Sequence, residues 1–134
     1  MKGYFRLRVY IGKKLAMIKD KNVIEAAMAY VIGQDARPRI GKDDFKRVCP
    51  DPDGLIHVVA TDVRDALVQL EAGFREMEDS VEGLISFIGS RALTMRGLNA
   101  ITGSFPKAKR MMGGVGFERP KGGSVEIYLF VGLG

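Results

Sequence analysis

Residues 125–131 read Val-Glu-Ile-Tyr-Leu-Phe-Val. Successive side chains of an extended segment point to opposite faces. Val125, Ile127, Leu129 and Val131 therefore share one face, and Tyr128 and Phe130 lie on the other. A strand of a half-solvated sheet needs only one apolar face, so both sides of this segment must be covered. It lies either centrally in its own sheet or in a subunit interface. Left uncovered, such a strand is an aggregation hazard. Coverage by another chain is the preferred expectation, which makes Tyr128 and Phe130 the candidate subunit interface. Just upstream, Gly122-Gly123 suits a two-residue turn, because both central positions of a type I′ turn need positive φ. The expected register of that C-terminal hairpin sets Arg119 opposite Glu126, Phe117 opposite Tyr128 and Val115 opposite Phe130.

The rest of the chain supplies the partners. Residues 4–11 alternate strictly, with Phe5, Leu7, Val9 and Ile11 on one face and Tyr4, Arg6, Arg8 and Tyr10 on the other. That period of two marks a half-buried strand. Gly12-Lys13-Lys14 offers a turn into a return strand over 15–18. Asn22 and Glu25 predict a helix start, the helix running to about Ile32 with Val23, Ile24, Ala27, Tyr30 and Val31 as its apolar side. Pro38, Pro50 and Pro52 make 34–54 irregular, apart from a helical turn around Asp43–Val48. Residues 55–60 form a short strand. Thr61 or Asp62 then caps the clearest helix, whose stripe is Val63, Ala66, Leu67, Leu70, Phe74 and Met77. Ser80 is expected to cap another helix with Val81, Leu84, Ile85 and Ile88 as its stripe, and 97–112 reads as a linker. The predicted class is a single α+β domain over residues 1–134. Its antiparallel or mixed sheet holds an N-terminal hairpin, a C-terminal hairpin and a short middle strand, with two or three helices covering one face.

Charge is strongly segregated along the chain. Residues 1–50 carry 12 basic and 5 acidic side chains, residues 51–90 carry 2 and 9, and residues 91–134 carry 7 and 2. Two basic ends flank an acidic middle. Such a layout serves nucleic-acid binding through the ends, self-assembly of basic on acidic surfaces, or local compensation within one fold. The candidate nucleic-acid contacts are Tyr4, Arg6, Arg8 and Tyr10, where alternating aromatic and cationic groups can stack bases and bind phosphates. Arg37 and Arg39, and then Lys107, Lys109 and Arg110, extend the same surface.

Catalytic and cofactor motifs are missing. Neither Gly12-Lys13 nor Gly41-Lys42 completes a phosphate-binding loop, and Gly114-Val115-Gly116 has Arg119 where a dinucleotide pattern needs its third glycine. Cys49 and His57 have no partners at metal-ligand spacing. Nothing marks them as a nucleophile and base either. No cofactor and no metal site is expected. One cysteine implies no disulfide framework. No signal peptide or membrane span is expected, and the chain reads as cytoplasmic or as part of a virion. By elimination, the leading expectation is a non-enzymatic assembly protein, a self-associating subunit of a virion or nucleoprotein particle. The alternative is a nonspecific nucleic-acid-binding protein that uses its basic segments.

Overall fold

The computed structural model describes residues 17–74, 80–116 and 124–134. In chain order these form α1 (Lys21–Ile32), α2 (Lys42–Val48), β1 (Gly54–Ala60), α3 (Val63–Phe74), β2 (Val81–Gly89), α4 (Met95–Gly103), β3 (Ala108–Gly116) and β4 (Val125–Leu133). The strands make one mixed sheet in the order β1-β4-β2-β3. β4 is antiparallel to both neighbours, and β2 and β3 are parallel. The class is α+β, as expected.

Local chemistry sets the helix starts. The Asp20 carboxylate, not Asn22, caps α1, accepting the N–H of Asn22 at 2.9 Å and of Val23 at 3.4 Å. Asp62 caps α3 by accepting the Asp65 N–H at 2.8 Å. The Thr94 hydroxyl accepts the Gly97 N–H at 3.0 Å and starts α4. In each case a side-chain oxygen satisfies an orphan donor of the first turn.

Helices cover both faces of the sheet, not one. Ala66 and Leu70 of α3 and Ile101 of α4 pack on Ile56, Val58, Leu84, Ile88, Val125, Ile127, Leu129 and Val131. On the other face, Ile24, Ala27 and Val31 of α1 and Phe45 and Val48 of α2 pack on Leu55, Ile85, Phe87 and Phe130. This second core is what the apolar back of β4 demanded. Phe130 is fully buried, with its ring edge-on to Phe45 at 5.1 Å. Tyr128 is half-buried beside it. The proposed interface at Tyr128 and Phe130 is therefore corrected: their face is covered by α1 and α2 of the same chain.

Two further expectations fail. The segment after Ser80 is strand β2, not a helix. Its stripe fits helical spacing only because a strand buried on both faces is apolar nearly throughout. Val81 and Leu84 share a face because the β2–β4 register shifts between Val81 and Gly83. A Cβ on Gly83 would lie 1.9 Å from the Val48 carbonyl oxygen, so this glycine lets α2 close on the sheet. The expected linker over 97–112 holds most of α4 and the start of β3. The C-terminal hairpin is also corrected, since β3 and β4 are not neighbours. Val115 aligns with Ile88, while Phe130 lies between Leu55 and Ile85. Phe117, Arg119 and the Gly122-Gly123 turn lie outside the described residues, as does residues 1–16 of the N-terminal hairpin. Of the expected return strand, Ile18 makes one antiparallel bridge to Leu55, with hydrogen bonds of 2.8 and 2.9 Å.

Candidate functional site

Tyr4, Arg6, Arg8 and Tyr10 lie outside the described residues. The other five predicted cations lie along the outer edge of β3, Arg37 and Arg39 toward its end and Lys107, Lys109 and Arg110 toward its start. Arg37 is held there by its backbone. Its N–H donates to the Val115 carbonyl at 2.9 Å, and the Val115 N–H donates back at 3.0 Å. Glycine permits this approach: a Cβ on Gly114 would lie 2.5 Å from the Pro38 carbonyl oxygen and 3.1 Å from the Ala36 methyl. The loop then turns inward to bury Ile40, leaving the side chains of Arg37 and Arg39 exposed. Lys107 immediately precedes β3, and Lys109 and Arg110 sit in its first turn of pleat; all three are exposed. Lys109 reaches Glu82 at 3.1 Å. With both groups partly in solvent, that pair contributes at most about 1 kcal/mol. From Lys109 to Val115 the strand runs about 20 Å at ~3.3 Å per residue, so the cations form a line rather than a pocket.

Acidic groups gather at the opposite edge. Where β1 passes into α3, Asp65 accepts the Thr61 N–H at 3.0 Å beside the cap of Asp62. Glu126 stands one strand in, next to β1. Arg64 on α3 interrupts this group, and Lys19 and Lys21 lie toward the other end of β1, Lys21 being 3.4 Å from Asp51.

No sequence pattern points to the trio around His57. Its Nε2 lies 2.8 Å from Glu126 Oε2, and the Tyr128 hydroxyl donates to the same oxygen at 3.2 Å. The imidazole stacks on the Tyr128 ring at 4.4 Å. His57 and Tyr128 are directly opposed in the β1–β4 register, and Glu126 is two residues along the same face. Only knowledge that β1 pairs with β4 would have revealed it. When the ring is neutral and Nε2 donates to the carboxylate, Nδ1 carries the lone pair. The trio therefore fixes one imidazole orientation at the surface. The groove between α1 and α2, about 480 Å³ and floored by Met28, Ile32 and Phe45, is lined by other residues.

Cys49 does not join His57. Its sulfur lies 3.9 Å from the Phe130 carbonyl oxygen, on the Gly132 side of that residue. His57 aligns with Tyr128, four residues from Gly132 and about 13 Å along the strand. Burial first, then nearby Asp53, push the thiol up to about 11, with Arg110 and Lys21 partly opposing. A thiol so far above neutral is a poor nucleophile. Among the described residues no group of three or more His, Cys, Asp or Glu side chains could hold a metal ion, and no helix is long and apolar enough to cross a membrane.

No protein-family model matches the sequence, and comparison with curated proteins finds no match.

Proposed function

We propose that this protein is a non-enzymatic assembly subunit, which associates head to tail with further copies of itself to build a larger particle. The observation that carries the reading is the placement of opposite charge on opposite edges of one sheet. Arg37, Arg39, Lys107, Lys109 and Arg110 follow the β3 edge, and Asp62 and Asp65 mark the exit of β1. The two edges are about 15 Å apart, three interstrand spacings of ~4.8 Å. A basic edge meeting the acidic edge of the next copy is a heterologous contact, which closes into a ring or continues as a filament. Its strength comes from exposed charges, so salt must weaken it. Light scattering across a salt series tests this. The mass should fall to that of one chain as salt rises, and Arg37→Glu with Arg110→Glu should give a folded monomer at low salt. A wild-type chain that is monomeric at high concentration and low salt sinks the reading.

A second reading rests on the convergence of Arg37 and Arg39 with the β3 cations, which the sequence separates by some seventy positions. Two cation clusters at the ends of a ~20 Å edge can each meet a phosphate of a strand laid along it, and nonspecific nucleic-acid binding would use them. Retention of single-stranded DNA that weakens steeply with salt, and that Arg37→Ala with Arg110→Ala reduces, supports this reading. Absence of retention at low salt removes it.

A further inference from the structure

We infer that the outer edge of β3 is a docking site for one extended, acidic polypeptide strand, which adds to the sheet beside Met111 and Gly113.

The backbone decides which groups are on offer. In a parallel ladder alternate residues direct both N–H and C=O toward the partner strand, and the residues between direct theirs outward. Val115 points outward, because both of its groups bond Arg37. Gly116 points inward, its carbonyl accepting from Ser90 at 3.0 Å. By alternation, Gly113 and Met111 belong to the outward row with Val115. Neither takes part in a hydrogen bond with any described residue beyond the ladder itself. Two N–H donors and two C=O acceptors therefore stand in line, continuing a row on which Arg37 already shows strand-like pairing. Access is good. Gly113 is exposed and has no side chain, and Met111 is 51% exposed. After Arg37 the chain turns inward toward buried Ile40, so it does not continue down the row.

Charge names the occupant. Arg37 and Arg39 stand at one end of the open row, and Lys107, Lys109 and Arg110 at the other. Among the described residues the acidic groups near this edge are Glu82, which pairs with Lys109 at 3.1 Å, and exposed Asp35, whose carbonyl lies beside Gly116. A second β3 would bring five more cations to the same line, which disfavours pairing of the edge with its own copy. An incoming strand with carboxylates along its length places them near the cations while its backbone fills the row. Strand addition of this kind draws affinity from main-chain hydrogen bonds and selectivity from the flanking side chains. Lysines on an edge also discourage chance pairing with neutral strands. The inference goes beyond the assembly reading and holds even for a monomeric chain.

The test uses the full-length chain and an acetylated peptide of about seven residues alternating valine and glutamate, followed by amide NMR and hydrogen exchange. In the free protein the Met111 and Gly113 amides should exchange quickly while those of Met112 and Gly114 are protected. The peptide should protect Met111 and Gly113, and the same peptide with lysine for glutamate should bind at least about tenfold more weakly, as charge mismatch at an interface demands. Met111→Pro removes one outward N–H that has no partner among the described residues, so circular dichroism should be unchanged while binding is lost. Met111→Thr keeps the N–H and should keep the binding. Equal affinity for the two peptides, or shifts confined to the α1–α2 groove, would overturn the inference. So would slow exchange of Met111 and Gly113 in the free protein at micromolar concentration, which would mean that a second copy already holds the row. Failure of the assembly reading is seen separately, in the light-scattering mass.

Discussion

Replacing Phe130 with alanine probes the central claim about β4, that its second face is internal. Phe130 is fully buried, sits between Leu55 and Ile85 in the sheet, and meets the Phe45 ring edge-on at 5.1 Å. Truncating a buried phenylalanine removes its transfer free energy and leaves a cavity, together about 3–5 kcal/mol. The lost ring pair with Phe45 accounts for roughly 0.5–1.5 kcal/mol of specific geometry within such values. A domain of this size has a total stability of about 5–15 kcal/mol, so the variant keeps a fold but loses much of its margin. With a urea dependence of about 1.5 kcal/mol per molar, the unfolding midpoint should drop by about 2–3 M. The assay is urea unfolding followed by circular dichroism, with light scattering on the same samples. A loss below about 1 kcal/mol would refute the reasoning, most clearly if the mass also fell. That pair of results would place Phe130 in a contact between chains and the second core elsewhere.

Leu70→Ala, in the core under α3, should cost about 2–5 kcal/mol in the same unfolding assay, and a loss under about 0.5 kcal/mol would mean that the α3 stripe does not face the sheet. Gly83→Ala places a methyl 1.9 Å from the Val48 carbonyl and should destabilise by about 1–3 kcal/mol, whereas Gly103→Ala, with nothing within 4 Å, should be neutral or slightly stabilising. Equal effects from the two glycine variants would contradict the close seating of α2. The Cys49 thiol should resist alkylation at neutral pH in the folded protein, becoming reactive only as pH approaches about 11. Linkage gives the same group a second readout. Its folded value lies above its ordinary 9.0, so the unfolded chain loses the proton first as pH rises. Below pH 9 there is no effect, and between pH 9 and 11 stability falls by up to about 1.4 kcal/mol per pH unit. The stability difference between wild type and Cys49→Ala should shrink across that window, and a flat difference would refute the assignment.

Legibility in the sequence followed how local each signal was. Met77 lies outside the described residues, but the α3 stripe as far as Phe74 and a cap at Thr61 or Asp62 are local signals, and the structure has the helix there with Asp62 as the cap. The same holds for β1, with its β-branched run between a turn and a cap, and for α1 apart from which residue caps it. Residues 81–88 defeated the reading because a strand with two buried faces loses its alternation, and its apolar spacing then passes for a helix. The expected C-terminal hairpin rests on the turn pattern of Gly122-Gly123, which lies outside the described residues. The pairing differs because β4 passes over β2 to insert between β1 and β2, a long-range choice that no local pattern records. The candidate site shows the same limit. Arg37 and Lys109 belong to two separate basic clusters of the sequence, and their common edge depends on the Arg37–Val115 bridge. His57 and Glu126 became partners only through the β1–β4 register.

The position of β4 also sets an order of events during synthesis. β1 has one partner strand among the described residues, β4, and that strand is translated last of the four. When Gly89 has been added to the chain, β1 and β2 both exist and cannot yet be joined, because the strand that bridges them has not been made. β2 can begin to associate with β3 as the α4 crossover emerges. β1 cannot join the β2–β3 pair until β4 is complete at Leu133, a delay of about 2–9 s at ~5–20 residues per second. Throughout that interval the gap in the sheet between β1 and β2 stays open. Until its closing strand arrives, the growing chain leaves apolar surface uncovered, the condition in which incomplete folds are prone to aggregate.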